Sequence, residues 1–421
     1  MEIAPGILKT LEEVKFRVST DTRKELSGTI YFGLKGETFD GNTFIAEALE
    51  KGATAAVTDD PNRAGEKVYV VKDVLQTLQE VAKKYRETFA IPIIAIGGSN
   101  GKTTTRELVA EVLRTTYKTH SSKENLNNHI GLPLSILSMS KDVEVGVFEI
   151  GANHPGEHIA LLDILQPTLV LVTNNGLDHL EGFGSAEGVR KANKEVYDWA
   201  SSHSATALVD KDQPDLVEDS EKLKRTLYPR KPLEVKSSLP LTFIYRGETH
   251  VTHLVGDYNL ANIAGALAVG EALNVPLEKA LQAISAYEPS LKRSQYMEKD
   301  GMHLILDCYN ANPSSMKLSL ESFLAAAPEP RGVVLGDMLE RGPYAETEHE
   351  KIVQILSTRS LNKVIFIGPL FKTALASVSF PYEWFPDALE AQAWIKSQNF
   401  EGWYLLLKGS RGMKVEKIVG L

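Results

Sequence analysis

Short continuous apolar runs alternate with segments of helical period in the middle of the chain. The apolar runs cover residues 93–96, 143–150 and 169–173, and the helical segments cover residues 103–117 and 159–165. A strand that is apolar at every position is buried on both faces, as in a parallel sheet covered by helices. The pattern therefore predicts a central domain with a parallel sheet, which we assign to residues 88–290.

The same alternation occurs on both sides of this central domain. Residues 1–87 contain short strands at 29–34 and 55–58, and a helix whose apolar stripe ends before Pro92. After Pro289 a second series of strands interleaved with helices begins, at residues 304–306, 332–335, 364–367 and 404–407. We predict an α/β protein of three domains: a small α/β domain over residues 1–87, the central domain, and a Rossmann-like domain over residues 291–421.

The composition excludes several classes of protein. The 46 basic and 55 acidic residues give a net charge of −9, and no dense basic run suggests contact with nucleic acid. A single cysteine, Cys308, excludes an internal disulfide and a cysteine-ligated zinc site, and favours a reducing compartment. No stretch reaches the roughly 18 apolar residues of a membrane span, and the N-terminus has no signal-like segment. We expect a cytoplasmic monomer with no nucleic-acid partner.

Residues 93–105 pass from an apolar strand through a glycine-rich loop into a helix. Glycines allow backbone N–H groups to turn toward an anion, Lys102 can reach the β and γ phosphates, and Thr103 can offer a hydroxyl to Mg²⁺. The usual spacing places the first glycine at position 96, whereas here it is Gly97, so the loop is a variant. A solvated turn is the alternative, and the flanking strand and helix favour ATP binding by Gly98, Ser99, Asn100, Gly101, Lys102, Thr103 and Thr104.

Polar residues also follow the next two strands of the predicted sheet. Glu149 closes one apolar run, and His179 lies in the polar segment after another. Ligands bind at the carboxyl ends of parallel strands, and a carboxylate, an imidazole and the Thr103 hydroxyl could together hold Mg²⁺. From position alone, Glu149 could equally be a helix cap or surface acid, and His179 a hydrogen-bonded loop histidine.

These segments and several others resemble the Mur ligase family over nearly the whole chain. Two segments of the third domain, residues 309–313 (Tyr-Asn-Ala-Asn-Pro) and 336–340 (Gly-Asp-Met-Leu-Glu), are the most specific. They match the family member that adds D-alanyl-D-alanine to UDP-N-acetylmuramoyl-tripeptide. The other family-like segments are residues 21–23, 32–37, 39–42, 98–104, 125–134, 149–152, 179–184, 256–262, 307–308 and 407–413.

The resemblance implies an amide ligase of peptidoglycan precursor synthesis that uses ATP and Mg²⁺ and forms an acyl phosphate. The first domain would hold the UDP-linked tripeptide, the central domain ATP, and the third domain would close over both with the dipeptide. Lys102, Glu149 and His179 would be catalytic, with Thr103, Glu149 and His179 at the metal. Asn262, Arg293 and Asp307 would lie near the nucleotide, and the substrates would contact Thr22, Arg23, Lys35, Gly36, Asp40, Asn127, Asn128, Asn310, Asn312 and Arg411.

One position departs from the family pattern. Family members usually carry a carbamylated lysine four residues before an aromatic residue, where it helps to hold a second Mg²⁺, and counting back from Tyr197 gives Asn193. Lys191 or Lys194 could take over through a shifted register, Asn193 could bind the metal or its water through its amide oxygen, or the second site could be weaker. We favour the Asn193 substitution.

Two other functions fit the same scaffold. A sister ligase would add an amino acid to the UDP-muramoyl peptide or glutamate to a folate, and the two specific segments of the third domain argue against it. A nucleotide-binding protein that has lost catalysis is the other alternative, suggested by Asn193. It would have no need of the full set formed by Lys102, Thr103, Glu149 and His179.

Overall fold

The computed structural model describes residues 5–36, 38–123, 126–230, 232–289 and 293–421. Within them, the strands form sheets of four, six, three and six strands. The predicted boundary at residues 290 and 291 lies outside the described residues, as do Glu37 and Asn125 of the family-like segments. No helix in the described ranges is both long and apolar enough to cross a bilayer.

The first sheet is parallel, in the order β1-β2-β3-β4. Its strands are β1 Val18–Ser19, β2 Ile30–Phe32, β3 Ala55–Thr58 and β4 Val68–Val70. The helices of this region are α1 Pro5–Glu13, α2 Ile45–Glu50 and α3 Val74–Glu87. Helix α3 starts at the Asp73 cap, whose side chain accepts a hydrogen bond from the Gln76 N–H, and its apolar side is buried.

The six-stranded central sheet is parallel throughout, in the order β10-β9-β8-β5-β7-β6. Its strands are β5 Ile93–Gly97, β6 Thr119–Ser121, β7 Val145–Glu149, β8 Leu169–Val172, β9 Thr206–Asp210 and β10 Arg225–Tyr228. Its helices are α4 Lys102–Arg114, α5 Gly131–Leu137, α6 Glu157–Leu165, α7 Leu180–Phe183, α8 Ala186–Ser202, α9 Pro214–Asp219, α10 Asn259–Ala272 and α11 Leu277–Ala286. Strand β5 lies between β7 and β8, so the loops that follow all three strands meet at one sheet edge.

A small antiparallel sheet follows, made of β11 Leu233–Ser238, β12 Leu241–Tyr245 and β13 Glu248–Val251. The last sheet has the order β14-β15-β19-β16-β17-β18, and only its edge strand β14 is antiparallel. Its strands are β14 Gln295–Lys299, β15 Met302–Asp307, β16 Arg331–Gly336, β17 Lys363–Ile367, β18 Glu383–Phe385 and β19 Tyr404–Lys408. Its helices are α12 Pro313–Ala326, α13 Ala345–Ser357, α14 Pro369–Ala374 and α15 Ala388–Lys396.

These sheets confirm the predicted fold class, an α/β protein with a central parallel sheet and a Rossmann-like third sheet. The apolar runs predicted as strands are buried, since every residue of β5, β7 and β8 is buried. The exact limits of the three domains stay a prediction. The cores, however, do not follow those limits, because one hydrophobic cluster joins α3 of the first region to α5, α6 and α8 of the central one.

Arg86 near the end of α3 ties this joint core together. Its side chain is buried, and its guanidinium donates to three backbone oxygens at 2.8–2.9 Å. Two of them, on Leu165 and Gln166, belong to the end of α6, and the third belongs to Phe89. A buried carbonyl that loses its donor is costly, so this one side chain fixes α3 against the central domain.

We therefore predict that Arg86→Met destabilises the chain, because it keeps the apolar stem and leaves three acceptors without their donor. The expected loss is about 3 kcal/mol in the free energy of unfolding. Denaturant unfolding of the full chain measures it, with the exposed Arg359→Met as the matched control. Equal stability of the two variants would contradict the prediction.

Candidate active site

The loop between β5 and α4 needs glycine at two positions. Gly98 has φ +109°, and a Cβ there would lie 2.4 Å from Thr173 Oγ1. Gly101 has φ +81°, and a Cβ there would lie 2.3 Å from Asn262 Oδ1. Both positions combine a left-handed backbone with no room for a side chain, so only glycine keeps the loop in this shape.

The loop is held from the neighbouring strand β8 by residues that directly follow it. The N–H of Ser99 donates to the Asn174 carbonyl at 2.9 Å, and the N–H of Asn100 donates to Asn174 Oδ1 at 3.2 Å. In return, Thr173 Oγ1 and Asn174 Nδ2 donate to the Asn100 carbonyl at 2.7 and 2.9 Å. The loop therefore has its shape before any anion arrives. Neither Thr173 nor Asn174 was among the site residues predicted from the sequence.

Lys102, the first residue of α4, folds back over the loop. Its Nζ donates to the carbonyls of Gly98 and Ser99 at 2.5 and 3.1 Å and lies 3.9 Å from Asp178 Oδ2. The other oxygen of Asp178 is buried and has no hydrogen-bond partner in the described part of the chain. A phosphate carries a full negative charge and the carbonyls of Gly98 and Ser99 only partial charges, so the ammonium group can exchange these carbonyls for a phosphate, as the predicted role requires.

Glu149, at the end of β7, is almost inaccessible to solvent. Its carboxylate accepts hydrogen bonds from the Thr103 hydroxyl and from Asn127 Nδ2, both at 2.7 Å. The structure thus brings together three residues that the sequence predicted for the site. It adds Arg106, whose buried guanidinium has its Nε 3.9 Å from Glu149 Oε2. Arg106 lies one helical turn after Lys102, a spacing that could have indicated it.

His179 borders the same cavity as Glu149 and the loop. Its Nδ1 lies 3.2 Å from Glu340 Oε2 of the third domain, and this hydrogen bond lowers the pKa of Glu340. Across the described ranges, no group of three or more His, Cys, Asp or Glu side chains is placed to hold a metal ion. The predicted set of one hydroxyl, one carboxylate and one imidazole stays a prediction.

Asn193 on α8 is buried against the loop. Its Nδ2 donates to Asn175 Oδ1 at 2.9 Å and to Ser99 Oγ at 3.3 Å. Lys191 and Lys194 instead pair with acidic residues one turn away on the exposed side of the same helix. Three residues were considered in place of the family's carbamylated lysine, and of these Asn193 alone faces the loop. A shifted register would require Lys191 or Lys194 to face the loop instead.

Residues of the third domain complete the cavity, which has a volume of about 320 Å³. Asn312 Nδ2 donates to Asn100 Oδ1 at 2.7 Å, a direct bond between the third domain and the loop. The guanidinium of Arg293 stacks 3.5 Å from the ring centre of Tyr309, and that of Arg411 lies 5.0 Å from it. The ring thus lies within reach of both predicted arginines.

Asp307, at the end of β15, has a buried lysine as its partner. Lys408 Nζ donates to Asp307 Oδ2 at 2.5 Å and to the Asn310 carbonyl at 3.4 Å. The Asp307 carboxylate also accepts from the N–H of Ser294 at 3.3 Å. Tyr309 and Lys408 were not predicted as site residues, although both lie in family-like segments of the third domain. Asn262 is tied to α4, where it accepts from Thr105 Oγ1 at 3.1 Å.

The predicted substrate residues divide into three groups. Asn127, Asn128, Asn310 and Asn312 line the cavity, whereas Thr22, Arg23, Lys35, Gly36 and Asp40 belong to the first domain and do not. Arg411 of the third domain does not line the cavity itself but lies near its Tyr309 ring. Lys35 pairs with Asp59 at 2.8 Å. Arg23 pairs with Asp21 at 2.7 Å and, by this hydrogen bond, lowers the pKa of Asp21 to about 2. The first-domain set stays a prediction for a separate part of the substrate.

We predict that Gly101→Ala weakens ADP binding by about tenfold or more. The new Cβ overlaps Asn262 Oδ1, so the loop must move, and losing one charge-assisted hydrogen bond costs about 1.5–3 kcal/mol. Gly247→Ala is the matched control, since Gly247 has φ +85° with no atom near its would-be Cβ. Titration calorimetry with ADP compares the two, and equal affinity for both variants would refute the predicted role of the loop.

Comparison with known proteins places this geometry in a family. Three family models match: "Mur ligase family, catalytic domain" over residues 17–86, "Mur ligase middle domain" over residues 96–270, and "Mur ligase, glutamate ligase domain" over residues 292–411. The UDP-N-acetylmuramoyl-tripeptide--D-alanyl-D-alanine ligase of Bacillus subtilis (strain 168) is 33% identical, over 96% of this chain and 92% of its own length.

Solved structures share the whole arrangement. A crystal structure of MurF from Acinetobacter baumannii has a TM-score of 0.85 at 27% identity, covering 98% of this chain and 97% of its own. The MurF ligase from Thermotoga maritima in complex with ADP has a TM-score of 0.84 at 26% identity, covering 96% of each chain. Because the matches extend through all three regions and include a relative that is one-third identical almost end to end, this chain belongs to the Mur ligase family.

Proposed function

We propose that this protein is an ATP-dependent ligase that joins D-alanyl-D-alanine to UDP-N-acetylmuramoyl-tripeptide in peptidoglycan precursor synthesis. The observation that carries the proposal is the single cavity in which the phosphate loop, Glu149 and third-domain Asn312 meet. Relatives that carry this name align with the chain over nearly its full length. A protein with this activity works on cytoplasmic nucleotides, which fits the one buried thiol of Cys308.

ATP would lie with its phosphates on the loop. The shape fixed by Thr173 and Asn174 presents backbone N–H groups at the start of α4, where the helix dipole also favours negative charge. Lys102 would leave the carbonyls of Gly98 and Ser99 and turn to the phosphates. Arg293 and Asp307 would contact the rest of the nucleotide from the third domain, since both line the same cavity.

The donor set around Glu149 fits Mg²⁺. A buried carboxylate bonded to the Thr103 hydroxyl offers two hard oxygen ligands beside the loop, and His179 could supply a nitrogen. Bound there, the ion would neutralise charge on the phosphates. Arg106 would favour the ionised form of Glu149, because its buried guanidinium places a positive charge 3.9 Å from that carboxylate while hydrogen-bonding to Glu107 and Ser121.

The reaction itself needs positioning more than a protein nucleophile. The terminal carboxylate of the tripeptide attacks the γ-phosphorus, a new O–P bond forms, and ADP leaves. The amine of the dipeptide then attacks the acyl carbon, loses a proton, and expels phosphate. Closure of the third domain over the cavity would keep water away from the acyl phosphate, and the contact between Asn312 and Asn100 lies at that closing surface.

Phosphate release with a panel of acceptors tests the function. We expect release only when UDP-N-acetylmuramoyl-tripeptide and D-alanyl-D-alanine are both present, and tripeptides that differ at the third residue define the preference. Lys102→Ala should lose release by at least about a hundredfold because a charge-assisted phosphate contact disappears, while binding of the UDP-linked tripeptide is retained. Release driven by glutamate and a folate would support a sister ligase, and no release with any acceptor pair would support a nucleotide-binding protein that has lost catalysis.

Asn193→Ala separates two roles for Asn193. If its amide oxygen serves the metal or its water, the Mg²⁺ concentration for half-maximal rate should rise by about tenfold, as for loss of an outer partner at a metal site. We expect this rise, because the hydrogen bonds of the Asn193 side chain in the described residues are made by Nδ2, which leaves Oδ1 available as a ligand. A higher KM for ATP with unchanged Mg²⁺ dependence would instead assign Asn193 to support of the loop. Lys191→Ala is the control on the exposed side of the same helix.

A further inference from the structure

Residues 339–344 of the third domain, which we call the clasp, hold residues 177–184 of the central domain from both ends. At one end, Arg341 Nη1 donates to the Leu177 carbonyl at 3.3 Å. At the other end, the Tyr344 hydroxyl donates to the Gly184 carbonyl at 2.8 Å. Between these bonds, Glu340 Oε2 lies 3.2 Å from His179 Nδ1. The clasp therefore reaches a residue of the active site from a different domain.

The clasp is firmly connected to its own domain. The Arg341 side chain is buried, and its Nε donates to the Leu339 carbonyl at 2.6 Å. The N–H of Leu339 donates to Ser410 Oγ at 2.9 Å, and the N–H of Met338 donates to His349 Nε2 at 2.9 Å. The backbone on both sides of Glu340 is thus fixed to the third domain.

A carboxylate at Nδ1 has a definite effect on an imidazole. It holds the proton on Nδ1, fixes the rotation of the ring, and leaves the Nε2 lone pair as the only acceptor. His179 directly precedes the four-residue helix α7, with a left-handed backbone at φ +44°. The side chain of Glu340 is 61% exposed, so the pair adds little to stability and its effect is on orientation.

We propose that Glu340 is a positioning residue that orients His179 only when the third domain is docked against the central domain. Domain docking then does more than cover the substrates, since it also completes the active site through the imidazole. The proposal rests on the proposed function for its kinetic consequence. The geometric part, Glu340 fixing the ring of His179, is independent of which substrates are used.

Kinetics of Glu340→Ala and Glu340→Gln test the consequence. Glu340→Ala should lower kcat by about tenfold, the size of effect seen when the partner of an active-site imidazole is removed, with KM for ATP nearly unchanged. Glu340→Gln should recover most of the loss, because an amide oxygen still accepts from Nδ1–H. Glu346→Ala, at an exposed acid in the first turn of α13, is the matched control. Wild-type kcat in Glu340→Ala would overturn the proposal.

Nitrogen NMR of histidine-labelled full-length protein gives a readout that needs no turnover. The His179 ring, assigned by its absence in His179→Gln, should show a single Nδ1-protonated tautomer in the wild type and in Glu340→Gln. In Glu340→Ala its two nitrogens should move toward the average of both tautomers. An unchanged ring in Glu340→Ala would overturn the proposal even if kcat fell. If the wild type failed to turn over the proposed substrates, this comparison would still decide the role of Glu340.

Discussion

The hydrogen bonds between the phosphate loop and the residues that follow β8 are the constraint on which the site depends. Thr173 and Asn174 engage Ser99 and Asn100 through both backbone and side chains, so the loop is shaped by an adjacent strand as well as by its own glycines. A loop formed in advance does not lose conformational entropy when the anion binds. Because β5 is paired with β7 on its other side, the same sheet geometry delivers Glu149 to Thr103.

The third domain adds polar contacts to this prearranged edge. Asn312 touches the loop, and Glu340 touches His179, while Arg293 and Asp307 border the cavity from the same side. These contacts at the cavity are single hydrogen bonds and ion pairs between domains. Away from the cavity, Val255 and Leu239 of the central domain pack with the hydrophobic cluster of the third domain. The first domain shares a core with the central domain through α3, α5 and α6. Both neighbours therefore have apolar contact with the central domain, and at the active site itself the third domain meets it through polar groups.

The sequence was sufficient for those features whose cause is local. Continuous apolar runs predicted β5, β7 and β8, because a strand buried on both faces needs apolar residues at every position. The glycines and Lys102 predicted the loop, because its backbone conformation requires glycine. Arg106 and Lys408 could not be found in this way. Each is a buried cation close to a carboxylate that is distant in sequence. Arg106 is hydrogen-bonded to the adjacent Glu107 at 2.8 Å and also lies 3.9 Å from Glu149, 43 residues away, and Lys408 pairs with Asp307, 101 residues away. Only the fold shows that such charges are paired, since an isolated lysine or arginine in a sequence is normally exposed.

Asn312 illustrates how two demands can restrict one position to a single amino acid. Its Oδ1 caps α12 by accepting from the N–H of Ser315 at 2.7 Å, while its Nδ2 donates to Asn100. Aspartate would cap the helix, but its second carboxylate oxygen would face Asn100 Oδ1 and repel it. Serine would satisfy the helix and be too short to span the domains, and glutamine is too long to cap. An amide on a one-carbon stem is the only side chain that makes both contacts. The oxygen of one amide group therefore caps a helix of the third domain, and its nitrogen binds the phosphate loop of the central domain.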